Sequence, residues 1–192
     1  YIRAETLNEK ALDWMTAQGG DFFCWIHYMD PHGPYQPPKD LQREVAGTVH
    51  SKRALRKIWR RAANEPESIT ETERQVLIDM HDADIRYLDR HIGILFSRLE
   101  EAGVLDETVV GFTADHGQTF GEEGRYTQPR YLFESLINVP GAFWGPNVPT
   151  GQFEQQVRTV DIVPTLLSAF DYEPVDSVNG EPLQPILWGD EE

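Results

Sequence analysis

Asp115-His116-Gly117 follows the β-like run Thr108-Val109-Val110-Gly111-Phe112-Thr113-Ala114. A carboxylate and an imidazole, followed by a flexible glycine at the carboxyl end of a buried strand, are what an α/β protein needs to hold a metal at its active edge. A second polar cluster, Asp30-Pro31-His32-Gly33-Pro34-Tyr35, ends another apolar run, Phe22-Phe23-Cys24-Trp25-Ile26-His27-Tyr28-Met29. The two clusters fall on one edge if their strands share a sheet. Asp-His-Gly alone is equally at home in a strand-ending turn, because Asp and Gly favour turns. Two such clusters at equivalent strand ends are hard to explain by packing, and they favour an enzyme.

The elements that must position these residues are legible in the spacing. An amphipathic helix is predicted over Ile2–Gln18, with Leu7, Ala11, Leu12, Trp14 and Met15 on one face and Gly19-Gly20 as its stop. The strand Asp21–Met29 follows. Pro31, Pro34, Pro37 and Pro38 then forbid regular structure, so Asp30–Asp40 reads as a loop whose fixed proline dihedrals hold His32 in place. Ile69–Ala102 is the clearest helix: Thr70 and Glu73 form a capping box, Leu77, Ile85, Leu88, Ile92, Leu95 and Leu99 recur at helical spacing, and Gly103 closes it. His81, Asp82, Asp84, Asp89 and His91 on that helix read as solvent-facing or structural rather than as ligands.

Ser51–Ala63 is predicted helical and carries Lys52, Arg53, Arg56, Lys57, Arg60 and Arg61. Such a face ordinarily pairs with nearby acids; the sharper alternative is that it steers an anionic substrate. Gln118–Arg130 is a polar segment long enough to wrap a site and lacks strand periodicity. A short helix over Tyr131–Ile137, a strand over Val139–Trp144 and a helix from Asp161 through Ala169 complete the pattern. Asp176–Trp188 reads as an irregular tail packing Leu183, Ile186 and Leu187 back on the domain.

The 192 residues fit one domain or a large piece of one. A net charge of −15, from 32 acidic and 17 basic residues, makes nucleic acid an unsuitable partner. Only 4 of the 17 basic residues are lysines, an acid-rich, Lys-poor balance expected of a halophilic protein. Cys24, the single cysteine, cannot form an intrachain disulfide and reads as a small buried hydrophobe. There is neither a membrane-length apolar run nor a secretory signal, so no membrane partner and a cytoplasmic location are expected.

Taken in order, these clusters resemble the sulfatase family of the alkaline-phosphatase-like superfamily. The matching stretches are Phe22–Tyr35, Tyr87-Leu88-Asp89 through Gly93 and Leu99, Thr108–Glu122, Asn138-Val139-Pro140, Asp161–Leu167 and Asn179–Leu183, with Leu41–Ile69 the main unmatched part. The resemblance implies that Asp115 and His116 are two ligands of a divalent cation, with calcium expected. It implies that His32 is catalytic, contacting the ester group and helping the leaving oxygen depart. An oxygen-rich site with one imidazole suits a cation that polarises a sulfuryl or phosphoryl oxygen.

The family's nucleophile, a Cys or Ser in a Cys/Ser-x-Pro-x-Arg motif that becomes formylglycine, and a further pair of metal-binding aspartates are not in this sequence; Cys24 lacks the following Pro and Arg. The chain is therefore expected to be the carboxyl-terminal part of a single catalytic domain over 1–192: a partial, mostly parallel α/β sheet flanked by helices, missing its amino-terminal strands. It is expected to be inactive alone and to self-associate through exposed sheet surface. Where relatives place a Lys or His that binds the substrate's anionic oxygens, this sequence has Gln128-Pro129-Arg130, and Glu123 stands where many relatives have His. Gln128 and Arg130 are the candidate substrate-binding residues, and Arg130 pairing with Glu134 is the alternative. Three functions stay open: a sulfate-ester hydrolase, a hydrolase or transferase of phosphodiesters or phosphonate esters, and a non-catalytic homologue that binds an anionic glycan or a partner.

Overall fold

The computed structural model describes residues 2–128, 130–172 and 179–183. They divide into two compact units, one from Tyr1–Ala102 with Gly117–Ile137, the other from Gly103–His116 with Asn138–Glu192.

The first unit is organised on one long helix. Its longer helices are α1 (Ala4–Thr16), α2 (Lys39–Ala46), α3 (Lys52–Asn64) and α4 (Glu71–Glu101), and the short α5 (Glu134–Ile137) also belongs to it. The 31 residues of α4 start at the expected capping box, in which the Thr70 side chain accepts the Glu73 amide while the Glu73 carboxylate accepts the Thr70 amide. Helices α1 and α2 pack on α4. Leu41, Met80, Ala83 and Ala4 are completely buried, and Leu55 and Leu77 nearly so. Each large apolar side chain so buried stabilises the unit by roughly 1.5–3 kcal/mol.

Three local expectations need correction in this unit. The loop expected to run to Asp40 ends at Pro38, because α2 begins at Lys39; proline is compatible with a helix entrance, and only Leu41 and Val45 marked an apolar face there. Gln118–Arg130 holds a short antiparallel hairpin, β2 (Thr119–Phe120) with β3 (Tyr126–Thr127). Residues 21–29 are not a strand. Their exposure nevertheless alternates with a period of two as far as Tyr28, the odd positions 21 to 27 open to solvent and Phe23 and Trp25 about two-thirds exposed. The pattern of a strand is present, but no described segment offers its backbone a ladder.

The second unit contains β1 (Val110–Thr113), β4 (Gly141–Trp144) and α6 (Ile162–Ser168). Strand β1 pairs antiparallel with β4, Val110 opposite Trp144 and Thr113 opposite Gly141. An α/β organisation is thus observed, whereas no parallel pair occurs among the described residues. The strand is also less buried than its apolar sequence predicted, with Gly111 and Phe112 exposed, because among the described residues it pairs with a single strand and its main other packing is against α6.

Asp161 precedes α6 as expected but does not cap it. Its carboxylate accepts the Arg158 amide at 3.0 Å, the Arg158 guanidinium at 2.8 and 3.1 Å and the Glu181 amide at 3.0 Å. The Arg158 hydrogen bond leads in holding the Asp161 carboxyl below its usual range. Thr165 Oγ1 accepts the Leu183 amide at 2.9 Å, and Leu183 is buried as expected; Ile186 and Leu187 lie outside the described residues. No helix among the described residues is long and apolar enough to cross a membrane.

Candidate active site

His32 sits in the first unit on a loop tied down on both sides. Its amide donates to the Met29 carbonyl at 2.8 Å, and the peptide bonds Asp30–Pro31 and Gly33–Pro34 are cis. The ring is exposed, while Asp30, Gly33 and Tyr35 around it are buried. Nδ1 lies 2.6 Å from the Gly33 carbonyl oxygen. A carbonyl only accepts, so this contact places a proton on Nδ1 and leaves Nε2 as the nitrogen available to a reacting group.

One guanidinium anchors the loop from below. Arg3 Nε lies 2.8 Å from Asp30 Oδ1, Arg3 Nη2 lies 3.3 Å from Asp84 Oδ1, and Arg3 Nη1 donates to the Gln36 carbonyl at 3.3 Å. Asp30 also accepts the Ala4 amide at 3.0 Å, and Asp84 accepts the Gln36 amide at 2.9 Å. Asp30 therefore ties the start of the loop to α1 and Asp84 holds Gln36 beyond His32, and the Arg3 guanidinium itself stacks 4.2 Å from the Tyr87 ring centroid. Burial pushes the Asp84 carboxyl up to about 6; the Gln36 amide and Arg3 pull against that, while the Asp30 charge adds to it.

From above, α3 closes over the loop. A Cβ added to Gly33 would stand 2.2 Å from the Trp59 ring, so only glycine allows this approach. Trp59 also meets the Tyr35 ring edge-on at 5.1 Å, and Tyr35 meets His81 at 5.2 Å. Burial in this aromatic cluster raises the Tyr35 hydroxyl, with Asp84 and Asp82 adding to it, and lowers His81 against the opposing Asp82 charge. His81 and Asp84 are thus structural. Asp84 is fully buried, which excludes the solvent-facing alternative for it.

Asp115 and His116 belong to the second unit, where they follow β1. Asp115 Oδ1 accepts the His116 amide at 3.1 Å and lies 3.9 Å from His116 Nε2. Both side chains are open to solvent, 68% and 41% exposed. One carboxylate and one imidazole nitrogen side by side suit two positions of a cation's shell. They do not close it: no group of three His, Cys, Asp or Glu able to hold a metal occurs among the described residues. The adjoining Gly117 serves by close approach rather than flexibility, since an added Cβ would stand 2.1 Å from the Ser135 carbonyl oxygen, and its amide donates to the Leu136 carbonyl at 2.8 Å.

Gln128 and Arg130 fall in the first unit, just after β3. Gln128 is half-buried and donates one amide hydrogen to Gln118 Oε1 at 3.0 Å. Arg130 is exposed and makes no ion pair among the described residues, so the alternative of a pair with Glu134 is not formed. Sequence reasoning missed Arg3, Trp59 and Asp84 as supports of His32. A signal existed for Asp84: it stands seven residues after Leu77 and four before Leu88, inside the apolar stripe of α4, where a carboxylate needs a buried partner.

The family model described as Sulfatase matches residues 1–172 of the chain. Choline-sulfatase of Rhizobium meliloti (strain 1021) is 33% identical over 110 residues, covering 56% of this chain and 21% of that protein. Phosphonate monoester hydrolase of Agrobacterium radiobacter superposes with a TM-score of 0.79 at 20% identity, over 98% of this chain and 42% of that one. A protein solved with its substrate D-glucosamine-2-N,6-O-disulfate superposes with a TM-score of 0.71 at 18% identity, over 96% and 51%. At these identities the structural likeness shows the shared fold. The chain spans 21–40% of the length of the first two curated relatives that it matches.

Proposed function

The chain belongs to the sulfatase family, and from that premise we propose that the full-length protein is a metal-dependent hydrolase of sulfate esters. The observation that carries this reading is the exposed Asp115–His116 pair at the end of β1, in a chain whose family match runs over residues 1–172 and so through both units. Asp115 and His116 would hold a divalent cation, for which an oxygen-rich set with one imidazole suits calcium. When bound, such a cation polarises a sulfuryl oxygen and stabilises the charge that develops on it.

His32 is the proton donor in this reading. With Nδ1 committed to the Gly33 carbonyl, the imidazolium presents Nε2–H, which passes its proton to the bridging oxygen as the ester bond breaks. Arg130 offers a forked donor to the remaining oxyanions, and Gln128 a neutral one. The nucleophile, expected as formylglycine, lies in another part of the protein, so the 192-residue chain alone does not turn over. The 192 residues are read as the carboxyl-terminal part of a single catalytic domain built on a mostly parallel sheet.

A second reading is hydrolysis of phosphonate esters, a chemistry housed in the same fold by the phosphonate monoester hydrolase. Both substrates present tetrahedral oxyanions to the same electrostatic arrangement. Rates of the full-length protein on p-nitrophenyl sulfate and on p-nitrophenyl phenylphosphonate separate the two. Faster turnover of the sulfate is expected; exclusive turnover of the phosphonate would transfer the assignment to the second reading.

A further inference from the structure

The solvent face of α3 is a concentration of positive charge that the chain does not neutralise. Lys52, Arg53, Arg56, Lys57 and Arg60 are all exposed. None of these five side chains makes a hydrogen bond, ion pair or ring contact with another described residue, although the chain carries 32 acidic residues. Arg61 behaves differently: it chelates Glu73 at 2.7 and 3.0 Å and serves the fold. No acidic residue occurs between Glu44 and Glu65; Glu44 is engaged with Arg86 at 2.6 Å, and Glu65 and Glu67, beyond the other end of the helix, make no ion pair with these five side chains. Like charges three and four residues apart repel one another on a helix, so this face is intrinsically unfavourable without a counter-charge.

Its placement is equally specific. Trp59, on the same helix, seals Gly33 next to His32. Lys52 and Arg56 precede Trp59 by seven and three residues, spacings that share a helix face, so the cationic surface starts on the side of α3 that covers the loop. Lys52, Arg56 and Arg60 follow one another at single-turn intervals, a row about 12 Å long. That extent exceeds one tetrahedral oxyanion and matches a ligand with several anionic groups in series.

We propose that the exposed face of α3 is an anion subsite that binds sulfate groups of the substrate other than the one at the reacting centre, so that the substrate is a multiply sulfated molecule. This rests on the sulfate-ester reading for the identity of the anion, whereas the subsite itself rests on α3 alone. The contacts are charge-assisted hydrogen bonds from guanidinium and ammonium groups to sulfate oxygens. They steer and hold the ligand without taking part in bond breaking, and they weaken as salt screens them.

The test uses the full-length protein and a variant carrying Lys52→Gln, Arg53→Gln, Arg56→Gln, Lys57→Gln and Arg60→Gln; all five side chains are exposed, so the fold is retained. The substrates are p-nitrophenyl sulfate and a polysulfated oligosaccharide of the same terminal ester. On the oligosaccharide at low salt, KM should rise about tenfold or more at unchanged kcat, the difference fading at high salt, while p-nitrophenyl sulfate is hydrolysed as before. A variant carrying Arg53→Lys, Arg56→Lys and Arg60→Lys, with Lys52 and Lys57 kept, should show the original KM. Equal KM values for both proteins on the oligosaccharide would overturn the subsite. Fluorescence-polarisation binding of the labelled oligosaccharide decides it independently of turnover. Loss of binding in the Gln variant of a protein without sulfatase activity would refute the sulfate-ester reading and leave the anion subsite standing; equal binding would refute the subsite whatever the activity.

Discussion

Asp84 Oδ2 accepts the backbone amide of Gln36 at 2.9 Å from a fully buried position on α4. With Asp30 and the shared Arg3 guanidinium, it turns a proline-rich loop into a fixed mount for His32. The cost of this arrangement is visible in the carboxyl, which burial pushes up to about 6. Between the ordinary Asp value near 4 and this raised value, the folded protein holds a proton that the unfolded chain has released. The contribution of neutral Asp84 is therefore fully present below about pH 4 and is lost as pH rises through about 6. Asp84→Asn removes that dependence. Its melting temperature relative to the parent chain should move in the variant's favour by a few degrees between pH 4 and pH 7. Thermal unfolding at both pH values checks this; a difference that does not change with pH contradicts it.

Gly33 and Trp59 form a second support, and their closeness makes them interdependent. Gly33→Ala should destabilise the first unit by about 1–3 kcal/mol through overpacking against the indole. In Gly33→Ala/Trp59→Ala the penalty of the added methyl should largely disappear, because its collision partner is gone. Chemical denaturation of the four proteins in the cycle measures the coupling. Additive losses would mean that Trp59 does not set the space above the loop.

Gly117 offers a contrast, since the atom opposing an added Cβ is the Ser135 backbone oxygen, which cannot rotate away. Gly117→Ala should therefore cost more than Gly33→Ala and lower the melting temperature by several degrees. A silent Gly117→Ala substitution would show that the segment adjusts freely.

Residues 21–29 combine alternating exposure with an unladdered backbone. In the 192-residue chain their amides should exchange with solvent orders of magnitude faster than those of α4. In the full-length protein the same amides should be protected if a neighbouring strand completes the sheet there. Equally fast exchange in both proteins would rule out that completion.

Helices α1, α3, α4 and α6 were legible because their signals are local, whereas α2 carried no such signal. Thr70 and Glu73 announced the start of α4, Ser51 caps α3 on the Ala54 amide at 3.2 Å, and Gly103 adopts a left-handed φ of 69° after α4. What depends on distant partners was not legible. Phe22–Met29 carries strand residues but finds no ladder, and β1 pairs antiparallel with β4 although the family resemblance implied a mostly parallel sheet. The site showed the same division. His32, Asp115 and His116 stood out by residue type, whereas the supports of His32 came from Arg3, 27 residues before Asp30, and from Asp84, 48 residues after Gln36. Nothing within a short window connects such residues. The exception is Asp84, whose charge inside an apolar stripe already called for a buried partner.

The most direct test of the central claim is cation-dependent turnover by the full-length protein with Asp115 intact and removed. After chelator treatment and reloading with calcium, the parent should recover hydrolysis of p-nitrophenyl sulfate. Asp115→Ala, at a side chain that is 68% exposed, should nearly keep its melting temperature and lose roughly a hundredfold or more in rate. Full activity of Asp115→Ala, or activity indifferent to the cation, would contradict the account.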